Sequence, residues 1–188
     1  MVIAAVTIVP AAEYHVDQSR ANLVKFISDA PLDDFEGVTR KIDGYIHWEG
    51  SDQPPDQTRM QTSELYFEVD LASLDTGIGL RNRHMRENYL ETDKYPFAQY
   101  RARLTQLTRV SDTLYTCSAE GTMTIHGVEK PMASTANVVA SGAGLRVITD
   151  FEVNLNDFRI KIPKIMFLKL SEIIKLELDF YMKKADGK

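Results

Sequence analysis

The strongest pattern along this chain is alternation with a period of two. SELYFEVDL (63–71) sets Leu65, Phe67, Val69 and Leu71 on one face and Glu64, Tyr66, Glu68 and Asp70 on the other, the signature of a half-buried strand. KIDGYIHWEG (41–50) alternates Ile42, Gly44, Ile46 and Trp48 with polar partners, and AQYRARL (98–104) does the same with Ala98, Tyr100, Ala102 and Leu104. YTCSAEGTMTI (115–125) carries Cys117, Ala119, Gly121, Met123 and Ile125 in phase. DFEVNL (150–155) carries Phe151 and Val153, and IIKLELDFYM (173–182) carries Ile174, Leu176, Leu178, Phe180 and Met182. Turn residues punctuate the runs: Gly50-Ser51-Asp52 with Pro54-Pro55, Ser111-Asp112, His126-Gly127 and Ser141-Gly142-Ala143-Gly144. Successive strands with short turns predict one mainly-β domain, an antiparallel sandwich or barrel. Two stretches break the period. Residues 77–93 read as a short helix or ordered loop, and KIMFLKLSEI (164–173) has room for one or two helical turns.

The apolar phase mixes large aromatics (Phe26, Trp48, Phe67, Tyr100, Phe151, Phe180) with very small residues (Gly44, Ala98, Ala102, Ala119, Gly121). A barrel of about eight strands is just wide enough to be filled by side chains or to hold one small ligand. Periodicity alone favours the filled, interdigitated core. Composition does not alter the class: 188 residues, 44% hydrophobic and 26% charged, describe one ordinary globular domain. Charge excludes more. With 22 basic against 27 acidic side chains and a net charge of −5, the chain lacks the basic surplus that nucleic-acid binding needs. No apolar run is long enough to span a bilayer as a helix. MVIAAVTIVPAA (1–12) is apolar and ends in small residues, like the back half of an export signal without its basic start; the barrel domain is then expected over 13–188.

Candidates for chemistry are few. His15, His47, His84 and His126 are scattered without metal-ligand spacing, and Cys117 has no cysteine partner. No nucleophile elbow is present, and the Asp75-Thr76-Gly77 triplet occurs once, where an aspartic-protease dyad needs two carboxylates. GLRNRHMRENYLETDKYP (79–96) stands out, with Arg81, Arg83, His84 and Arg86 crowded ahead of Glu87, Glu91 and Asp93. Two readings stay open: a seat for an anionic head group, which arginine suits, or a loop pinned by ion pairs to those carboxylates. The second is favoured.

Three segments in order carry a resemblance: YHVDQSRANLVKF (14–26), EVDLASLDTGIGLRNRHMRENYLETDKYPFAQYRA (68–102) and GTMTIHGVEKPM (121–132). Together they resemble the YceI-like family of exported, lipocalin-like, polyisoprenoid-binding β-barrels. The second holds a Ser-x-x-Thr-Gly turn, an Arg-x-x-His-hydrophobic element and a Tyr-Pro, and the third the family's Ile-His-Gly-Val segment. The resemblance implies a single antiparallel lipocalin-like barrel with a helical loop near 79–93. It also implies non-catalytic binding or transport of a long-chain amphiphile, such as an isoprenoid quinone, polyprenyl phosphate or fatty acyl amide. No cofactor is expected, a homodimer stays open, and the location is periplasmic or secreted. Cavity contacts are then expected from Phe26, Ile46, Trp48, Phe67, Val69, Tyr100 and Ala102, and from Met123, Ile125, Phe151, Val153, Leu176, Leu178 and Phe180. Arg81, Arg83 and His84 are the candidates for a head group. The competing readings are an enzyme using His84 or His126 as general base, and a filled barrel serving as a protein-interaction module. The sequence departs from the family pattern in NLNDFRI (154–160), where Asn156 replaces an arginine and Arg159 a glycine.

Overall fold

The structure, a computed structural model, describes residues 11–28, 35–49, 55, 57–142, 144–162, 164–165, 168–169 and 171–185. The apolar start therefore lies outside the described residues except for Ala11 and Ala12, which belong to the first strand. Twelve strands are present among the described residues. They are β1 (Ala11–Val16), β2 (Leu23–Ser28), β3 (Phe35–Thr39), β4 (Ile42–Glu49), β5 (Glu64–Asp70), β6 (Phe97–Arg109), β7 (Leu114–Ile125), β8 (Val128–Ser141), β9 (Gly144–Asn154), β10 (Lys164–Ile165), β11 (Leu168–Lys169) and β12 (Ile173–Lys184). All pairings are antiparallel, and β1 pairs with both β4 and β12, so the order β1-β4-β5-β6-β7-β8-β9-β12 closes on itself. The result is an eight-stranded barrel. Strands β2 and β3 prolong β1 and β4: β2 continues along β12, and β3 pairs with β2.

Each broken strand is repaired by a side chain. Where the chain leaves the ladder at 17–22, buried Asn22 accepts a hydrogen bond from the Tyr181 N–H at 3.0 Å and donates to the Asp17 carbonyl at 3.1 Å. Between β3 and β4, the Thr39 hydroxyl accepts from the Lys41 N–H at 2.9 Å and lies 2.5 Å from the Ser73 hydroxyl. Buried backbone groups that lose a ladder partner need another, which explains why polar residues interrupt the alternation at these two points. The small inward residues serve curvature. A Cβ on Gly44 would fall 2.1 Å from the Tyr66 carbonyl oxygen and 2.7 Å from the Phe67 ring, at φ +146°. The strands approach too closely there for any side chain, and the cross-strand Phe67 ring covers the glycine.

One end of the barrel is packed solid. Tyr14 stacks on Trp48 at 5.5 Å, and Val16, Leu104, Phe180 and Met182 close in with Met60 from α1 (Gln57–Gln61). At the other end β5 and β6 are joined by a 3₁₀ turn (Leu71–Ser73), α2 (Gly79–His84) and one π-helical turn (Met85–Tyr89), in line with the helical loop expected near 79–93. The expectation of a helix near 164–173 is corrected. Lys164 pairs with Lys169 and Ile165 with Leu168 as a small ribbon, and Ile173 already begins β12. Among the described residues of that stretch none is helical; extended pairing satisfies their backbone groups without a helical turn.

Candidate functional site

Between the packed end and the helical loop lies a cavity of about 680 Å³, well within the range of roughly 300–1,000 Å³ typical of small-molecule sites. Its wall takes Phe67 and Val69 from β5, Tyr100 from β6, Met123 and Ile125 from β7, Phe151 and Val153 from β9, and Leu176, Leu178 and Phe180 from β12. Several of these inward residues, Phe67, Val69, Tyr100, Phe151, Leu176 and Leu178 among them, are only partly buried. Each packs on one side against neighbouring side chains, as Phe67 does on the Phe180 ring at 5.2 Å, and turns its remaining surface to the hollow. Side chains thus interdigitate at the Tyr14–Trp48 end and in smaller clusters beneath the helical loop, and the hollow lies between them. The hollow persists because the β7–β9 wall presents short side chains: Cys117, Ala119, Ser134, Ala136 and Thr149.

Polar groups in the wall are sparse, and most are satisfied. The Tyr100 hydroxyl lies 3.1 Å from the Ser134 hydroxyl and 3.2 Å from the Met132 carbonyl oxygen, and burial pushes its ionisation above the ordinary tyrosine value. Burial likewise pushes the Cys117 thiol up, away from the reactive thiolate. At the mouth two groups lack partners among the described residues. The Ser28 hydroxyl and the Arg81 Nε are both buried without a hydrogen bond. They flank one ring: Ser28 pairs across the sheet with Phe35, and the Arg81 guanidinium sits 4.9 Å from the Phe35 centroid. His84 and Lys161 border the same opening.

Of the residues expected to line a cavity, Phe26, Ile46, Phe67, Val69, Tyr100, Met123, Ile125, Phe151, Val153, Leu176, Leu178 and Phe180 lie on its wall, whereas Trp48 and Ala102 do not. Trp48 is used in the Tyr14 stack, and Ala102 is buried against Gly121, whose Cβ would stand 2.6 Å from that of Ala102. Ala102 is therefore no lever on the cavity. The wall also includes Ser28, Phe35, Leu74, Ser134, Ala136 and Thr149, which lie in strands or turns with weak alternation, and Leu71 from the end of the β5 run.

The basic stretch divides. Arg81 and His84 face the opening, while Arg83 is exposed and does not border it. The expected ion pairs of these three with Glu87, Glu91 or Asp93 do not form among the described residues. Other contacts hold the loop. The Asn82 Oδ1 accepts from the Thr76 N–H at 2.8 Å and hydroxyl at 2.7 Å, its amide donates to Asp75 at 2.7 Å, and Arg86 donates to the Leu74 carbonyl at 2.8 Å. The Asn82 amide is the main reason the Asp75 carboxyl is held below its usual value. Glu91 turns instead to the His126 Nε2 at 2.7 Å, and the His126 Nδ1 lies 3.3 Å from the Phe158 carbonyl oxygen. His126 and Gly127 form a two-residue hairpin turn with φ of +52° and +70°, as a type I′ turn requires. His126 so staples the helical loop to the turn at Leu155–Phe158 and stands outside the cavity wall. Arg159 ends that turn at φ +56°, a conformation glycine adopts more readily, which accounts for the glycine in the pattern this segment resembles. Arg83→Ala is expected to change stability by less than about 0.5 kcal/mol. Asn82→Ala, losing its bonds to the loop, costs about 1–2 kcal/mol; denaturant midpoints of both variants check this.

Comparison with known proteins agrees with the architecture. Residues 14–182 match the YceI-like domain. A UPF0312 protein of Pseudomonas putida (strain F1) is 29% identical over 164 residues, spanning 81% of this chain and 79% of that protein. One of Pseudomonas syringae pv. tomato is 30% identical over the same length. Among solved structures, Burkholderia cenocepacia BcnA superposes with a TM-score of 0.68 at 16% identity, covering 88% of this chain and 98% of that one. A polyisoprenoid binding domain from Saccharophagus degradans gives 0.67 at 16% identity, covering 92% and 98%. At such identities these structures speak to the fold alone. With a closed eight-stranded lipocalin-like barrel, an apolar hollow beneath a helical loop, and a family match that spans nearly all of the described barrel, the chain belongs to the YceI-like domain family.

Proposed function

We propose that this protein binds a long-chain amphiphile in its barrel, without catalysis, with the chain in the hollow and the polar head at the Ser28–Arg81 mouth. The observation that carries the reading is the cavity of about 680 Å³, walled almost wholly by apolar side chains. Burial of the chain supplies the driving force, roughly 25 cal/mol per Å² of apolar surface. The match to a polyisoprenoid binding domain supports an isoprenoid quinone or polyprenyl phosphate as the natural ligand, and a fatty acyl amide meets the same shape requirement. Catalysis finds less support. Among the described residues His84 makes no hydrogen bond or ion pair with a second titratable group, and both nitrogens of His126 are engaged outside the cavity, whereas a catalytic site needs groups that converge.

The head-group part of the reading rests on Ser28 Oγ and Arg81 Nε, the two that border the cavity among three buried polar atoms without partners, the third being Arg86 Nε, since buried polar atoms are almost always satisfied. Organic extraction of purified protein, with native mass spectrometry before and after, should release one lipid-sized mass. A chain that carries no lipid and takes up no apolar probe overturns the reading. Arg81→Ala should weaken a polyprenyl phosphate more than the matching alcohol, by about 1.5–3 kcal/mol for a lost bond to a charged group. Equal losses for the two ligands would place the head elsewhere.

A further inference from the structure

The loop that borders the opening has an outer surface that the cavity does not explain. Ile78 and Leu80 are 52% and 56% exposed, among the most exposed large apolar residues described. They flank Gly79, and a Cβ added at Gly77 or Gly79 would meet nothing within 4 Å, so this tip stands clear of the barrel. Both residues also reach the cavity opening. Immediately after them come Arg81, Arg83 and His84. Arg83 and His84 are exposed and make no ion pair among the described residues, and Lys161 borders the same opening. Two nearby carboxylates are already engaged, Asp75 by Asn82 and the Gly77 N–H, and Glu91 by His126. On a chain with a net charge of −5, this corner holds unneutralised cations next to protruding aliphatic side chains.

An apolar pair flanked by free cations on a short helical turn has the chemistry of a membrane-surface contact. The aliphatic groups enter the headgroup boundary, and the cations meet anionic lipid. We infer that the Ile78–Leu80 tip with Arg83 docks on an anionic lipid bilayer and sets the cavity opening against the surface from which a lipid is taken or to which it is delivered. The purpose of the contact rests on the lipid-binding reading; the contact itself does not. Glu87, the remaining exposed carboxylate of α2 and its following turn, lies on the same stretch and limits how strong the attraction is. Docking is therefore reversible, salt-sensitive and dependent on both components.

Flotation with vesicles of phosphatidylcholine alone, and of phosphatidylcholine containing phosphatidylglycerol, tests this. Wild-type protein should float with the anionic vesicles, release as salt rises, and stay largely unbound with the neutral ones. Arg83→Glu should lose fivefold or more of the vesicle-bound fraction while binding hexadecanoic acid in vesicle-free solution as wild type does, because Arg83 does not border the cavity. Ile78→Ser with Leu80→Ser should lose tenfold or more of vesicle binding. Wild type that floats with neither vesicle, or variants that float as wild type does, would overturn the docking surface. If wild type floats yet no form of the protein takes up hexadecanoic acid, docking stands and the lipid-binding reading fails. Recovery only with an acidic protein and never with vesicles also overturns it, since the surface then serves a protein partner.

Discussion

Ala136→Trp should fold normally and lose long-chain ligands by about a hundredfold. Ala136 lies on the wall of the hollow, opposite Cys117 in the β7–β8 ladder, and packs toward the closed end. Its methyl borders the hollow, so an indole there can extend into open space, unlike one at Ala102, which is buried against β7. The indole would occupy the lower cavity and hold a chain closer to the mouth. Excluding about four methylenes removes about 3 kcal/mol of burial, or about two decades of affinity. Titration with hexadecanoic and octanoic acids separates depth from head-group effects: the long acid should lose most of its affinity and the short one little. Unchanged binding of the long acid would mean that the hollow is not where the chain goes.

Gly44→Ala should cost about 3–5 kcal/mol and lower the melting temperature by roughly 10 °C or more. Two penalties combine. The backbone sits at φ +146°, which an L residue adopts only at a cost of about 1–3 kcal/mol. The new methyl would also fall 2.1 Å from the Tyr66 carbonyl oxygen, a backbone atom held by the β4–β5 ladder. Forcing strands apart adds overpacking strain of about 1–3 kcal/mol. Calorimetry of the purified variant gives the answer. A melting temperature within about 3 °C of wild type would show that the two strands separate without loss.

How much of this was legible beforehand follows from contrast between neighbouring residues. Strands β4, β5, β6, β7 and β12 announced themselves because apolar and polar residues alternate along them. Strand β8 did not: its inward side mixes Lys130, Ser134 and Ala136 with Val128, Met132 and Val138, and its outward side carries Pro131, Ala133 and Val139, so the two faces look alike. That same weak contrast hid the short-chained part of the cavity wall, Ser134 and Ala136 with it. Strand β3 is only five residues long and contains Gly37, too brief for alternation to register, so Phe35 at the mouth was missed. The loop's basic residues were visible as candidates, but not their division of labour. Asn82 and Arg86 hold the loop, Arg81 faces the opening and Arg83 faces solvent. Helical spacing cannot separate them until the π-helical turn and the neighbouring strands are in place. Glu91 was read as a partner for the arginines, whereas His126, distant in sequence, was placed beside it by the β7–β8 turn.

The pairing of β1 with β12 has a consequence for how the molecule is made. Tyr14 lies opposite Lys184 and Val16 opposite Met182, contacts that join nearly opposite ends of the described chain. Until Ile173–Lys184 leaves the ribosome, the remaining strands can form only an open sheet. Such a sheet leaves two unsatisfied edges and shows its greasy concave side to water. Long-range closure of this kind is slow, and exposed edges invite pairing with other chains. The barrel's seam is thus the last part to form, and the interval before it forms is when the nascent chain is most prone to aggregate.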